Sequence, residues 1–185
     1  MEETKVDLSQ FTTGDFSKGA GAIKMTLWYF TNSLFFKSSL FPMMKFKSHI
    51  LRLFGAKVGK RLIIKPCVNV KFPWKLIIGD DVWLGENVWI DSLDKVNIGN
   101  NVCLSQGALL LTGNHDYTVY NMPYRNAPII IEDGVWIGAH TVVCSGIRCK
   151  SHSILTAGSV ATKNLEEFTI YQGNPAIALR KRVIK

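Results

Sequence analysis

From Val58 onward one period governs the chain. An apolar or thiol side chain returns at every sixth position, at Val58, Ile64 and Val70, then Ile78, Leu84 and Ile90, then Ile98, Leu104 and Leu110, then Ile131, Ile137 and Val143, and finally Cys149, Leu155 and Ala161. Four residues after most of these stands a second apolar or small residue, as at Val68, Val82, Val88, Val102, Ala108, Val135, Thr141, Ile147, Ser153 and Ser159, with Asp94 one exception. Glycine follows the apolar start at Gly59, Gly79, Gly85, Gly99 and Gly138, where a tight corner leaves no room for a β-carbon. A six-residue unit is one short strand plus one corner. Three of them close a triangular turn of about 18 residues that stacks on the next at roughly 4.8 Å. The expected fold is therefore mainly β, a parallel β-helix of about five coils over residues 58–166.

Spacing also locates the departures from the period. The third unit of the first two coils is eight residues long (Val70 to Ile78, Ile90 to Ile98), and that of the third coil runs 21 residues, from Leu110 to Ile131. All three insertions fall at one corner, so the loop at 111–130 is expected to leave the prism above two short bulges.

Composition narrows the classes. Of 185 residues 47% are hydrophobic and only 19% charged, which excludes a disordered chain or a nucleic-acid-binding tail. Lysine and arginine number 22 against 14 acidic residues, a net charge of +8 that favours anionic partners without choosing among them. Cys67, Cys103, Cys144 and Cys149 show no metal-finger or CxxC spacing and read as reduced thiols, which points to the cytoplasm. The acidic start, Met-Glu-Glu-Thr, lacks the basic region and apolar run of a signal peptide.

Residues 1–57 lack the six-period. Leu27, Phe30, Leu34 and Phe41, then Phe46, Ile50, Leu53 and Phe54, fall at helical spacings, and Gly55 supplies a stop. Met25 to Met44 is too polar for a membrane span. Two roles suit these helices: packing against the prism as a roof over the site, or interfacial contact with a membrane. The second draws on Trp28, Tyr29, Phe35 and Phe36 together with Lys24, Lys37, Lys45, Lys47 and Arg52, and it would hold the protein on the cytoplasmic face.

The runs LTGNHDYT (Leu111 to Thr118), VWIGAHTVVCSGI (Val135 to Ile147), AGSVATKNL (Ala157 to Leu165) and YQGNPA (Tyr171 to Ala176) resemble the hexapeptide-repeat acyltransferases. Within that family they resemble the colanic acid biosynthesis acetyltransferase branch, related to the galactoside, maltose and nodulation acetyltransferases. The resemblance covers nearly the whole chain. It implies a left-handed prism, a homotrimer, acetyl-CoA lying between neighbouring prisms, and O-acetylation of a sugar hydroxyl in exopolysaccharide synthesis with no metal required. It leaves 167–185 as a short C-terminal tail.

The residues themselves suggest the chemistry. Acyl transfer to a hydroxyl needs a base near neutrality, and His115 on the long loop has the right side chain and matches the family's catalytic histidine. Asp116 is a candidate to orient the imidazole, or else an exposed loop aspartate. Gly138 and Ala139 are candidate backbone donors to the developing oxyanion. By motif, Ala157, Thr162, Lys163 and Arg180 match CoA-contacting positions, and Trp136 lines the same groove or packs a subunit contact. Where the galactoside and maltose enzymes carry an asparagine and an aspartate for the sugar, this chain has Gly85 and Leu93. That leaves Asp91 and Asp94 on the second bulge, and Asn114, as candidate acceptor contacts. Two other classes share the fold: N-acyl transfer to an amino sugar, and a scaffold without chemistry. A zinc enzyme fits poorly, since His140 and His152 stand two-thirds of a turn apart and His49 lies outside the repeat.

Overall fold

The structure, a computed structural model, describes residues 4–40 and 44–185, with residues 44–45 described by their backbone alone. Expectations that involve Phe41, the Lys45 side chain or the first three residues lie outside the described residues.

Each complete coil contributes three short strands. The first has β1 (Lys57–Val58), β2 (Ile63–Ile64) and β3 (Asn69–Val70); the second β4 (Leu76–Ile78), β5 (Trp83–Leu84) and β6 (Trp89–Asp91). The third has β7 (Val96–Ile98), β8 (Cys103–Leu104) and β9 (Leu109–Leu111); the fourth β10 (Ile129–Ile131), β11 (Trp136–Ile137) and β12 (Val142–Val143). The fifth has β13 (Arg148–Cys149), β14 (Ile154–Leu155) and β15 (Val160–Ala161). Every third strand pairs in parallel, giving three faces: A (β1-β4-β7-β10-β13), B (β2-β5-β8-β11-β14, extended at its end) and C (β3-β6-β9-β12-β15).

The coil count is five complete turns with a sixth begun. Leu165 bridges Cys149 on face A, and β16 (Thr169–Gly173) adds in parallel to β14 on face B. The chain then reverses into β17 (Ala176–Lys181), antiparallel to β16, so the expected tail is a hairpin over that end.

Of the fifteen periodic residues, all but Val58 are buried, and Val58 packs against the same core. The corner glycines answer to close approach. A β-carbon on Gly138 would stand 2.6 Å from the Ala157 nitrogen, and backbone cannot swing aside as a side chain can. At the A–B corner, Asp80, Asn100 and Asp133 each accept a backbone N–H from the coil below (Lys60, Asp80 and Asn100 at 2.7, 2.8 and 2.7 Å). Those side chains satisfy donors that no strand reaches, which is why Asp and Asn recur there.

The first coil would present a bare edge, and the N-terminal helices close it. Helix α1 (Ala22–Thr31) continues into a π-helical turn (Asn32–Phe36). Trp28 donates from Nε1 to the Val70 carbonyl (2.9 Å), while Asn32 bonds Asn69 (2.8 Å) and accepts from the Val70 N–H (3.4 Å). Helix α2 (Met44–Leu53) buries Lys47, Ile50 and Leu51 beneath the same coil. It ends as expected at Gly55, whose φ of +98° lets Ala56 N–H return to the Leu51 carbonyl (2.9 Å). Packing thus claims Trp28 and Phe36, two of the aromatics read as interfacial, while Tyr29 stays exposed.

Candidate active site

The three insertions stack at the C–A corner. Thr112, fully buried at the start of the loop, gives its hydroxyl to the Asp91 carbonyl (2.6 Å) and accepts from the Asp94 N–H (2.9 Å), tying the loop to the bulge below. From the coil above, Ser145 donates to the Thr112 carbonyl (2.8 Å) and accepts from the Ala127 N–H (2.9 Å), so one hydroxyl joins the two stems. Between the stems the loop is a distorted hairpin, with His115 bridged to Tyr124 and Arg125 N–H bonded to the Asn114 carbonyl (2.8 Å). Sequence reasoning missed Ser145 because a corner serine inside a repeat carries no signal of what stacks on it. We expect Ser145→Ala to cost about 1–3 kcal/mol of stability, read by thermal unfolding. It should also lower kcat by about tenfold or more through misplacement of the loop.

His115 is half-buried, its ring 5.0 Å from that of Tyr124 and 6.0 Å from that of Phe11. Its Nδ1 lies 2.7 Å from the Met122 carbonyl oxygen. A carbonyl can only accept, so Nδ1 carries the hydrogen and the neutral ring keeps its lone pair on Nε2. Met122 holds φ +45°, a left-handed conformation that costs a non-glycine residue about 1–2 kcal/mol.

The orienting group is therefore this carbonyl and not Asp116. The Asp116 carboxylate accepts from the Thr118 hydroxyl (2.6 Å) and N–H (3.0 Å), and that hydroxyl bond foremost holds its pKa below the usual carboxylate value. Asn114 spends its side-chain oxygen on the His115 N–H (2.9 Å).

The segment before α1 clasps this loop. Asp7 N–H meets the Tyr120 carbonyl (2.9 Å), Asn121 donates to the Gln10 carbonyl (3.1 Å), and Phe11 and Phe16 pack edge-on against Tyr124 at 5.3 and 4.9 Å. Beside the loop it walls a cavity of about 460 Å³ with Asp15, Phe16, Lys75, Asp94, Tyr124 and Asn126 among its lining. Lys75 is held by the carbonyls of Ser17 (2.7 Å) and Leu93 (2.5 Å), and desolvation pushes its pKa down against the pull of Asp94. Asn126 Nδ2 is buried with no hydrogen-bond partner among the described residues, an unspent donor at this cavity.

Asp94 is the bulge carboxylate that reaches this cavity; Asp91 does not. Asp91 is 4% exposed and lies against Gly113, where a β-carbon would come 3.0 Å from its Oδ2. Lys71 Nζ stands 3.0 Å from Asp91 Oδ1, close enough for an ion pair but off the line a hydrogen bond requires.

The second set of candidates sits at the B–C corner. Gly138 N–H is already bonded to the Leu155 carbonyl (2.8 Å), which removes it as an oxyanion donor. Ala139 accepts the Gly158 N–H at its carbonyl (2.8 Å), while its own N–H has no partner among the described residues. Ala157 is exposed directly above. Trp136 is 46% exposed on β11, its Nε1 bonded to Ser105 (2.9 Å). Thr162 and Lys163 are exposed at the C–A corner of the fifth coil, and Arg180 is exposed on β17 opposite Ile170.

One chain thus carries the imidazole and the free N–H on different edges of its prism. The outward columns of the three faces differ in character. Face B shows Ile63, Trp83, Cys103, Trp136, Ile154 and Ile170, and face C shows Asn69, Trp89, Leu109, Val142 and Val160. Face A alternates in character, with Lys57, Ile77, Asn97, Ile130 and Arg148 in its column, the last paired with Glu132 at 2.6 Å. The edge bearing Ala139 and Ala157 lies between the two apolar faces.

No protein-family model matches the chain. It is 34% identical over 177 residues to a protein of Escherichia coli (strain K12) named "Putative colanic acid biosynthesis acetyltransferase WcaF", covering 96% of this chain and 97% of that one. It is 30% identical over 138 residues to the galactoside O-acetyltransferase of the same organism, covering 73% of this chain and 68% of that one. Its fold matches that of the hexapeptide-repeat acetyltransferase VCA0836 of Vibrio cholerae, solved in complex with acetyl coenzyme A. The TM-score is 0.81 at 20% identity, covering 95% of this chain and 97% of that one.

Proposed function

The chain belongs to the hexapeptide-repeat acetyltransferase family, and on that premise we propose that it transfers acetyl from acetyl-CoA to a sugar hydroxyl in exopolysaccharide synthesis. The observation that supports the reading is the 2.7 Å bond between His115 Nδ1 and the Met122 carbonyl, which leaves the lone pair on Nε2 free to accept a proton. The acceptor hydroxyl lies in the polar cavity beside the loop and loses its proton to Nε2 as its oxygen attacks the thioester carbonyl. Ala139 N–H donates to the oxyanion that develops. Collapse of the adduct breaks the carbon–sulfur bond, and the proton held on His115 goes to the departing thiolate.

Because His115 and Ala139 stand on different edges, the site forms where the C–A edge of one protomer meets the B–C edge of the next. That contact joins unlike patches, which close into a ring where the rotation between neighbours allows it, and three subunits would suit a three-sided prism. Coenzyme A runs along the crevice, its pantetheine against Trp136 and Ala157 and its phosphates near Thr162, Lys163 and Arg180. The relatives named above support the donor and the acceptor class; the outward apolar faces support the ring.

Purified protein with acetyl-CoA and a hydroxyl-bearing oligosaccharide should release thiol and yield a hydroxylamine-labile ester. Acetyl-CoA at 100 times its Kd should add about 2.7 kcal/mol of stability. Amide product would redirect the reading to an amino sugar. Absence of both thiol release and stabilisation would end it.

A further inference from the structure

Residues 16–79 hold twelve of the 22 Lys and Arg and none of the 14 Asp and Glu, whereas the rest of the chain carries ten basic against 14 acidic residues. That segment covers one end of the prism: α1, α2 and the first coil. Lys47 there is buried, Arg61 and Lys71 pair with Asp81 and Asp91, and Lys75 lies in the cavity beside the loop, while Lys18, Lys37, Lys57, Lys60 and Lys65 are exposed. On it α1 is apolar on two sides. Trp28 faces the prism, and Ile23, Leu27 and Phe30, continued by Leu34 in the π-helical turn, form an outward stripe that is 80% exposed at Ile23 and 65% at Phe30. Leu53, at the end of α2, is 81% exposed and lines a pocket of about 840 Å³ with Ile23 and Leu27. A helix with a second apolar stripe left open to water calls for cover on that side.

We propose that this end docks on an anionic lipid surface, with the α1 stripe and Leu53 entering the acyl boundary and exposed lysines such as Lys37 and Lys57 meeting the headgroups. Charge selects the occupant. A second copy offering the same end would set like charge against like charge, while an anionic bilayer supplies both the apolar layer and the opposite sign. No helix among the described residues is long and apolar enough to cross a membrane, so the contact is a docking and not a span.

Flotation of the full chain with phosphatidylcholine vesicles, with and without phosphatidylglycerol, tests this apart from the proposed chemistry. The protein should float with the anionic vesicles only, and Lys37→Gln and Lys57→Gln should each weaken partitioning about fivefold. Leu27→Ser with Phe30→Ser should lower it at least tenfold, since both apolar side chains would lose their burial in the acyl layer. Turnover of a soluble acceptor should stay unchanged in all these variants. Equal flotation on neutral vesicles, or no flotation, would overturn the proposal. So would an apolar pair that changes the sedimenting oligomer but not flotation, which would mark a protein neighbour. Sensitivity to the lysine changes alone would mark a soluble polyanion and equally defeat it.

Discussion

Replacing His115 by alanine should lower kcat/KM by about 10²- to 10⁴-fold, the usual worth of a positioned general base. The loss should fall on kcat and spare the stabilisation by acetyl-CoA, because the imidazole is assigned to the acceptor proton and not to holding the donor. Folding should persist, since His115 is half-buried on a loop whose stems are tied by Thr112 and Ser145. Asp116→Asn is the informative control. Its carboxylate serves Thr118, and the imidazole takes its orientation from Met122, so kcat should drop only a few-fold. Measuring both variants by thiol release separates the arrangement seen here from one in which the carboxylate orients the base. A loss at Asp116 as deep as at His115 would refute it, as would a His115→Ala rate within about threefold of the parent.

The prism was legible because its cause is periodic. Fifteen positions in phase report one geometric demand, an inward side chain every sixth residue, and the breaks in phase mark where loops leave. Less could be read where contacts are not periodic. The segment from Asp7 to Lys18 has no repeating pattern, and its part in the cavity appears only when Phe11 and Phe16 meet Tyr124, more than a hundred residues later in the chain. The site divides along the same line. His115 stood out as a side chain on the long loop, but its orienting partner is a main-chain carbonyl, which residue type cannot announce. Gly138 and Ala139 look equivalent as donors until the bond from Gly138 to Leu155 shows that only Ala139 has an N–H to give. Asp91 and Asp94 are likewise alike in sequence. Burial under Gly113 removes the first from the cavity, and the stagger of the bulge delivers the second.

The proposed sharing of the site between two protomers predicts the second large effect. His115→Ala disables the C–A edge of a chain and leaves its B–C edge intact. Ala157→Tyr, at an exposed corner position above Ala139, should block the crevice from the other side and leave His115 intact. Each homogeneous ring should be nearly dead. When the two variants are unfolded together, mixed in equal amounts and refolded, each contact draws its two edges independently. About a quarter of contacts then pair a native loop with a native corner, so activity should return to about a quarter of the parent level. Mixing without unfolding should restore nothing until subunits exchange. A site built within one chain predicts no recovery in either case, because every chain in the mixture carries one lesion. Complementation therefore tests directly whether the imidazole and the free N–H belong to different protomers, and the crevice assignment stands or falls with it.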